Sequence, residues 1–321
     1  MAATTVRGER LVPGTVYMER ALALAERGRG KVEDHPLVGA VVVAGDEIVG
    51  EGWYERARVD HAEVIALAQA GERARGATLY VTLEPCAHHG RTPPCVDAVI
   101  AAGVARVVVG ALDPNPKAAG GAERLRAAGV EVELLDSVDA RRQNEAWRTW
   151  VARGRPFVTL KLAVTLDGRV TVPGRRWVTG KESRRFVHEL RAASDAVAVG
   201  MGTVRADDPQ LDARDVGAAK QPRRLAFGSG PTQLELRSGP LEDELHVLAA
   251  EGVQSLLLEG GPTIAASFLA ADLVDKLLLF IAPVLTGEGP RAFGNIELEL
   301  TDMRARKIGD DVLLEAYIHT P

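Results

Sequence analysis

The chain has 321 residues, 46% of them apolar and 26% charged, with a formal net charge of −5. That length exceeds what one hydrophobic core usually organises and points to two domains of roughly 150 residues each, a single α/β barrel being the other arrangement it allows. The composition is that of a globular protein rather than a disordered one, and the acidic balance leaves no basic footprint for non-specific nucleic-acid binding, so small-molecule chemistry is favoured.

From the N-terminus, residues 1–13 lack the apolar core of a signal peptide, and no later stretch reaches about 18 uninterrupted apolar residues, so the expected location is the cytoplasm. Residues 17–27 place Met18, Leu22 and Ala25 at helical spacing before glycines at 28 and 30 stop the pattern. Strands are predicted at 38–43 and 47–49, joined at Ala44, Gly45 and Asp46, and then at 78–83, 106–110 and 130–135. Helices are predicted at 62–70, 96–102 and 122–128, which suggests a central sheet covered on two faces. The charged segment 141–155, with Trp147 and Trp150, ends at Gly154-Arg155-Pro156 and marks a domain boundary, giving domains 1–150 and 151–321. A second alternation follows, with strands at 157–166, 195–200, 255–258, 276–285 and 312–318 and a helix at 184–193.

The strongest chemical signal is His61-Ala62-Glu63 followed by Pro85-Cys86 and Pro94-Cys95. Cys86 and Cys95 are the chain's only cysteines, and in a reducing compartment a close pair is more often a metal or redox site than a disulfide. One imidazole and two thiolates are the donors zinc prefers, and three protein ligands leave the fourth tetrahedral position open for catalysis. In zinc deaminases the glutamate of the His-x-Glu unit is not a ligand but shuttles protons, a role Glu63 fits. A closed structural site is the other reading, with His88 or His89 as fourth ligand.

The run Gly76-Ala-Thr-Leu-Tyr-Val-Thr-Leu-Glu-Pro-Cys-Ala-His-His-Gly-Arg-Thr-Pro-Pro-Cys95, with Asp113-Pro-Asn-Pro116, resembles the signature of the bifunctional bacterial riboflavin-biosynthesis deaminase/reductase family. The resemblance implies a cytidine-deaminase-like three-layer α/β/α domain followed by a dihydrofolate-reductase-like α/β domain. It implies that His61, Cys86 and Cys95 hold Zn2+, that Glu63 is the acid/base, and that His88 and Arg91 face a 2,5-diamino-6-ribosylamino-pyrimidinone 5'-phosphate. Asp34-His35-Pro36 stands where the family has Pro-Asn-Pro, and Tyr54 where it has His, so His35 and Tyr54 are expected at the same substrate. A relative acting on a related pyrimidine is the alternative that these two positions, with Arg175, suggest.

In the second half, Glu259-Gly260-Gly261-Pro262-Thr263 follows an apolar strand and precedes a helix, so a phosphate could approach backbone amides at a helix N-terminus; turn punctuation is the plainer reading. Gly200-Met-Gly-Thr203 repeats the arrangement. Lys161-Leu-Ala-Val-Thr-Leu-Asp-Gly168, Trp177-Val-Thr-Gly180, His188-Glu-Leu-Arg191, Asp207-Asp-Pro209 and Leu258 to Thr263 look like the reductase half of the same family. By that resemblance NADPH reduces the ribose of the deaminated product to ribityl. Trp177, Thr203, Asp207, Gly261, Pro262 and Thr263 would bind the cofactor, and Lys161, Arg191, Leu211, Arg214 and Glu259 the substrate. Arg175 replaces a serine-containing stretch before Trp177, and Phe227-Gly-Ser229 replaces an Asp-Ser turn. Family members commonly associate, so a homo-oligomer is expected.

Overall fold

The structure is a computed structural model that describes residues 13–320 apart from 33, 56–59, 91 and 295. The chain forms two compact units that divide between Ala152 and Arg153.

The first unit comprises α1 (Pro13–Ala25), β1 (Gly39–Ala44), β2 (Glu47–Trp53), α2 (Ala62–Ala70), β3 (Thr78–Leu83), α3 (Cys95–Ala101), β4 (Arg106–Ala111), α4 (Gly121–Ala127), β5 (Glu131–Leu134), α5 (Val138–Gln143) and α6 (Glu145–Arg153). Its five strands run in the order β2-β1-β3-β4-β5; β1 is antiparallel to its two neighbours, and β3, β4 and β5 are parallel. β1 reads as a continuous apolar run because its two faces are covered. Ala40 and Val42 pack with Ala62, Ala66, Val96 and Leu125 on one face, while Val41 and Val43 pack with Met18, Ala21 and Leu24 on the other. These are the three layers the sequence leads one to expect. Residues 141–143 and 145–153 are helical, however, and Trp147 is buried, so most of the stretch that reads as a boundary is α6.

The second unit comprises β6 (Phe157–Thr165), α7 (Lys181–Ala193), β7 (Ala196–Gly200), α8 (Met201–Asp207), β8 (Arg223–Phe227), β9 (Glu235–Arg237), α9 (Leu241–Ala250), β10 (Ser255–Leu258), α10 (Pro262–Ala270), β11 (Lys276–Ala282), β12 (Thr301–Ile308) and β13 (Asp311–Tyr317). The eight strands run β12-β13-β11-β6-β10-β7-β8-β9, with β13 antiparallel to its neighbours and the rest parallel. Val158, Leu160 and Leu162 of β6 pack against Leu245, Leu248 and Phe268, whereas Leu278, Phe280 and Leu313 receive Val187 of α7 on the opposite face. Asp275 anchors the entry to β6: Arg155 donates two hydrogen bonds to its carboxylate at 2.7 and 2.8 Å, and Val158 N–H a third at 2.8 Å. β8, β9 and β12 have no clear sequence signal. β9 is three residues long, and β12 is an edge strand exposed along nearly its whole length, so neither shows an inward-outward alternation.

Candidate active sites

In the first unit, close backbone packing sets the position of α2. A Cβ at Gly50 or Gly52 of β2 would lie 2.0 Å from Ala66 O or 2.1 Å from Ala62 O, so only glycine lets the strand meet the alanine face of the helix. His61 is extended (φ −68°, ψ 160°) as the residue before α2, and Glu63 lies in the helix's first turn. Cys86 follows β3, where the buried Glu84 accepts hydrogen bonds from Ala122 N–H (2.9 Å) and Asp113 N–H (3.2 Å) and so ties the strand end to α4 and to the loop after β4. Cys95 opens α3, and its N–H donates to Cys86 Sγ at 3.3 Å.

These ends converge. His61 Nδ1 lies 3.0 Å from Cys95 Sγ and 3.6 Å from Cys86 Sγ, and the three ligand atoms fall within 4.8 Å of one another. No other His, Cys, Asp or Glu among the described residues joins the group, so neither His88 nor His89 closes it. A set of one nitrogen and two sulfurs with no fourth protein donor fits a zinc ion that keeps an open position. Hydrogen bonding with Cys95 and then with His61 pushes the Cys86 thiol down to about 4, while the same sulfur–sulfur contact and burial push Cys95 up. Glu63 is 3% exposed, and burial raises its carboxyl above the usual carboxylate range.

A cavity of about 630 Å³ opens on the cluster. His35, Tyr54 and His88 line it, as the sequence leads one to expect; Arg91 lies outside the described residues. The rings of His35 and Tyr54 stand 5.4 Å apart, and Tyr54 meets His61 edge-on at 5.5 Å. Asp113, Asn115, Lys117, Trp147 and Trp150 also line the cavity. Sequence reasoning gave none of these five a role: the Asp113-Pro-Asn-Pro116 motif served only as a family mark and the tryptophans only as a boundary. Burial, with the Glu84 carboxylate nearby, raises Asp113 to about 6 even though its Oδ1 accepts the Asn115 N–H at 2.7 Å.

In the second unit three predicted residues form one ionic cluster. Arg191 donates from Nε and Nη2 to the two carboxylate oxygens of Glu259 at 2.5 and 3.0 Å, and Lys161 Nζ lies 3.7 Å from Glu259. Burial lowers Lys161 while Glu259 opposes that shift. Arg214 joins through Asp212, donating to its Oδ1 at 2.8 Å, while Arg191 Nη1 donates to the Asp212 carbonyl at 3.1 Å. Leu211 has φ +54° and a side chain buried with Val197, Val199 and Leu257, so what it presents outward is backbone. A separate grouping sits where the parallel neighbours β7 and β10 end: α8 and α10 begin side by side, and Gly261 N–H donates to Thr203 Oγ1 at 3.3 Å. Pro262 and Thr263 form the first turn of α10, whose amides suit an anionic group, so this sheet edge fits a phosphate-bearing cofactor. Trp177 and Asp207 lie outside these two groupings: the half-exposed Trp177 ring has the Arg176 and Arg184 guanidinium groups 5.0 and 5.4 Å from its centre, and Asp207 ends α8.

A family model described as the cytidine and deoxycytidylate deaminase zinc-binding region matches residues 14–111, and one described as the RibD C-terminal domain matches residues 156–314. The chain is 40% identical to riboflavin biosynthesis protein RibD of Aquifex aeolicus (strain VF5), over 93% of this chain and 96% of the relative. Against the protein of the same name from Escherichia coli (strain K12) the figures are 41%, 86% and 89%. Among solved structures, Acinetobacter baumannii RibD (form 2) matches with a TM-score of 0.79 at 34% identity, over 95% of this chain and 98% of that one. A diaminohydroxyphosphoribosylaminopyrimidine deaminase/5-amino-6-(5-phosphoribosylamino)uracil reductase from Thermotoga maritima matches with 0.81 at 32%, over 95% and 99%.

Proposed function

Because the chain belongs to the RibD family, the bifunctional deaminase/reductases of riboflavin biosynthesis that use zinc and NADPH, we propose that it divides the two reactions between residues 1–150 and 151–321. The first domain replaces a ring amino group of a 2,5-diamino-6-ribosylamino-pyrimidinone 5'-phosphate by oxygen, consuming water and releasing ammonia. The second reduces the ribose of that product to ribityl.

His61, Cys86 and Cys95 would hold the zinc, which would supply Lewis-acid activation of the attacking water. Glu63 takes a proton from the attacking water and delivers it to the departing amine, for which its raised carboxyl is suited. His35, Tyr54, His88 and Arg91 hold the substrate. In the second domain NADPH supplies the hydride. Thr203, Gly261, Pro262 and Thr263, with Trp177 and Asp207, hold that cofactor. Arg191, Leu211, Arg214 and Glu259 orient the substrate, and the Lys161 side chain, paired with Glu259 at 3.7 Å, faces the ribose oxygen whose charge changes. No helix among the described residues is long and apolar enough to cross a membrane; we place the enzyme in the cytoplasm and, given the exposed edge strand β12, in a homo-oligomer.

The observation that carries the deaminase reading is a buried carboxyl in the first turn of the helix that His61 precedes, on the wall of the cavity above the cysteine pair. Glu63→Gln is expected to lower ammonia release by about a hundredfold to ten-thousandfold while zinc content and NADPH oxidation with the deaminated substrate persist. Undiminished ammonia release would assign the proton transfer to another group.

A further inference from the structure

We propose that His188 is a positioning residue of the reductase, holding through its Nδ1 the loop that carries Arg214. This rests on the reading of Arg191, Arg214 and Glu259 as substrate-holding groups. His188 and Arg191 lie three apart on α7 and so share a face. Each reaches the same acceptor: His188 Nδ1 is 3.0 Å from the Asp212 carbonyl, and Arg191 Nη1 donates to it at 3.1 Å. The Arg214 N–H lies 3.4 Å from the same imidazole nitrogen. The shorter contact is the one we assign, with Nδ1–H donating to Asp212.

The loop needs such a pin. Between 208 and 215 three non-glycine residues have left-handed backbones, Asp208 (φ +41°), Leu211 (φ +54°) and Asp215 (φ +62°), and left-handed conformations persist only where the surroundings over-determine them. The far side of the loop is clamped by Gln221, whose amide accepts from Ala213 N–H and donates to Ala213 O, each at 2.8 Å. Arg224 donates to Gln210 O at 3.1 Å. Those ties survive without His188, so its loss leaves the fold in place. What it frees is the Asp212 carbonyl, which orients Arg191 toward Glu259, and the backbone from which the exposed Arg214 guanidinium extends.

The test uses the full chain with zinc, the deaminated pyrimidine substrate and saturating NADPH. His188→Ala is expected to raise the reductase KM by about tenfold with kcat changed less than about threefold, and to leave ammonia release unchanged. An asparagine amide nitrogen lies close to where histidine carries Nδ1 and a glutamine amide closer to Nε2, so His188→Asn recovers most of the KM and His188→Gln does not. An unchanged KM in His188→Ala, or equal recovery by Gln, overturns the proposal; should the alanine variant not fold, the Asn/Gln comparison at matched Tm decides. Arg214→Ala is measured alongside. If it raises KM while His188→Ala does not, this inference alone fails; if it leaves KM unchanged, the substrate-site reading fails first.

Discussion

Asp113 shows what a single side chain owes to its surroundings. Its carboxyl is raised from 3.8 to about 6 by burial, with Glu84 adding to the effect. The folded protein therefore holds this proton more tightly than the unfolded chain does, and stability falls as pH rises from about 4 to about 6, a cost on the order of 3 kcal/mol at neutral pH. Asp113→Asn keeps the oxygen that accepts the Asn115 N–H and removes the charge. Denaturant melts are expected to find it more stable than the parent at pH 7 by about 1–3 kcal/mol, with the difference gone below pH 4; a less stable variant at pH 7 would contradict the raised carboxyl. Retaining a charge that costs this much, on the wall of the deaminase cavity, is the pattern of a functional position. The local sequence gives Asp113-Pro-Asn-Pro116 only as a family mark, because the burial that raises its carboxyl comes from residues distant in the chain. His61, Cys86 and Cys95, by contrast, are legible from spacing and residue type: zinc needs those donor atoms, and the chain has only two sulfurs of that kind.

At the scale of elements, the deaminase site depends on how closely α2 rests on β2. Gly52→Ala would bring a Cβ to 2.1 Å from Ala62 O, a backbone atom that moves only with the helix. The expected result is a loss of about 1–3 kcal/mol of stability together with weaker zinc binding in a chelator competition titration, NADPH oxidation being unaffected. Unaltered zinc affinity would mean that His61 is held by something other than the seating of this helix. Strand β1 and helix α2 are readable from their apolar patterns. The edge strand β12 is not, since Thr-Asp-Met-Arg-Ala-Arg-Lys pairs through its backbone while its side chains remain exposed. α6 is hidden for a different reason: its charged residues imitate a linker, and only in the folded unit does Trp147 become buried.

For the whole molecule, two units with separate cores and a set of zinc-ligating side chains in one of them imply that metal removal is felt unequally. Calorimetry with and without a chelator is expected to show two transitions, the one belonging to the first unit moving to lower temperature and the other staying in place. A single transition that shifts as a whole would show the units to be thermodynamically coupled. The sequence by itself determined most of the strand and helix alternation of the first half, strands β6, β7, β10, β11 and β13 of the second, the zinc donors and the small-residue turns before α8 and α10. Each of these rests on local periodicity or on atoms that chemistry cannot replace. Only the tertiary structure decided that Asp113, Trp147 and Trp150 share a cavity with His61, that Arg191 meets Glu259 across 68 residues, and that His188 faces Asp212. Proximity and burial between distant residues come from packing sheets and helices together, and such contacts leave no periodic trace in the chain that makes them.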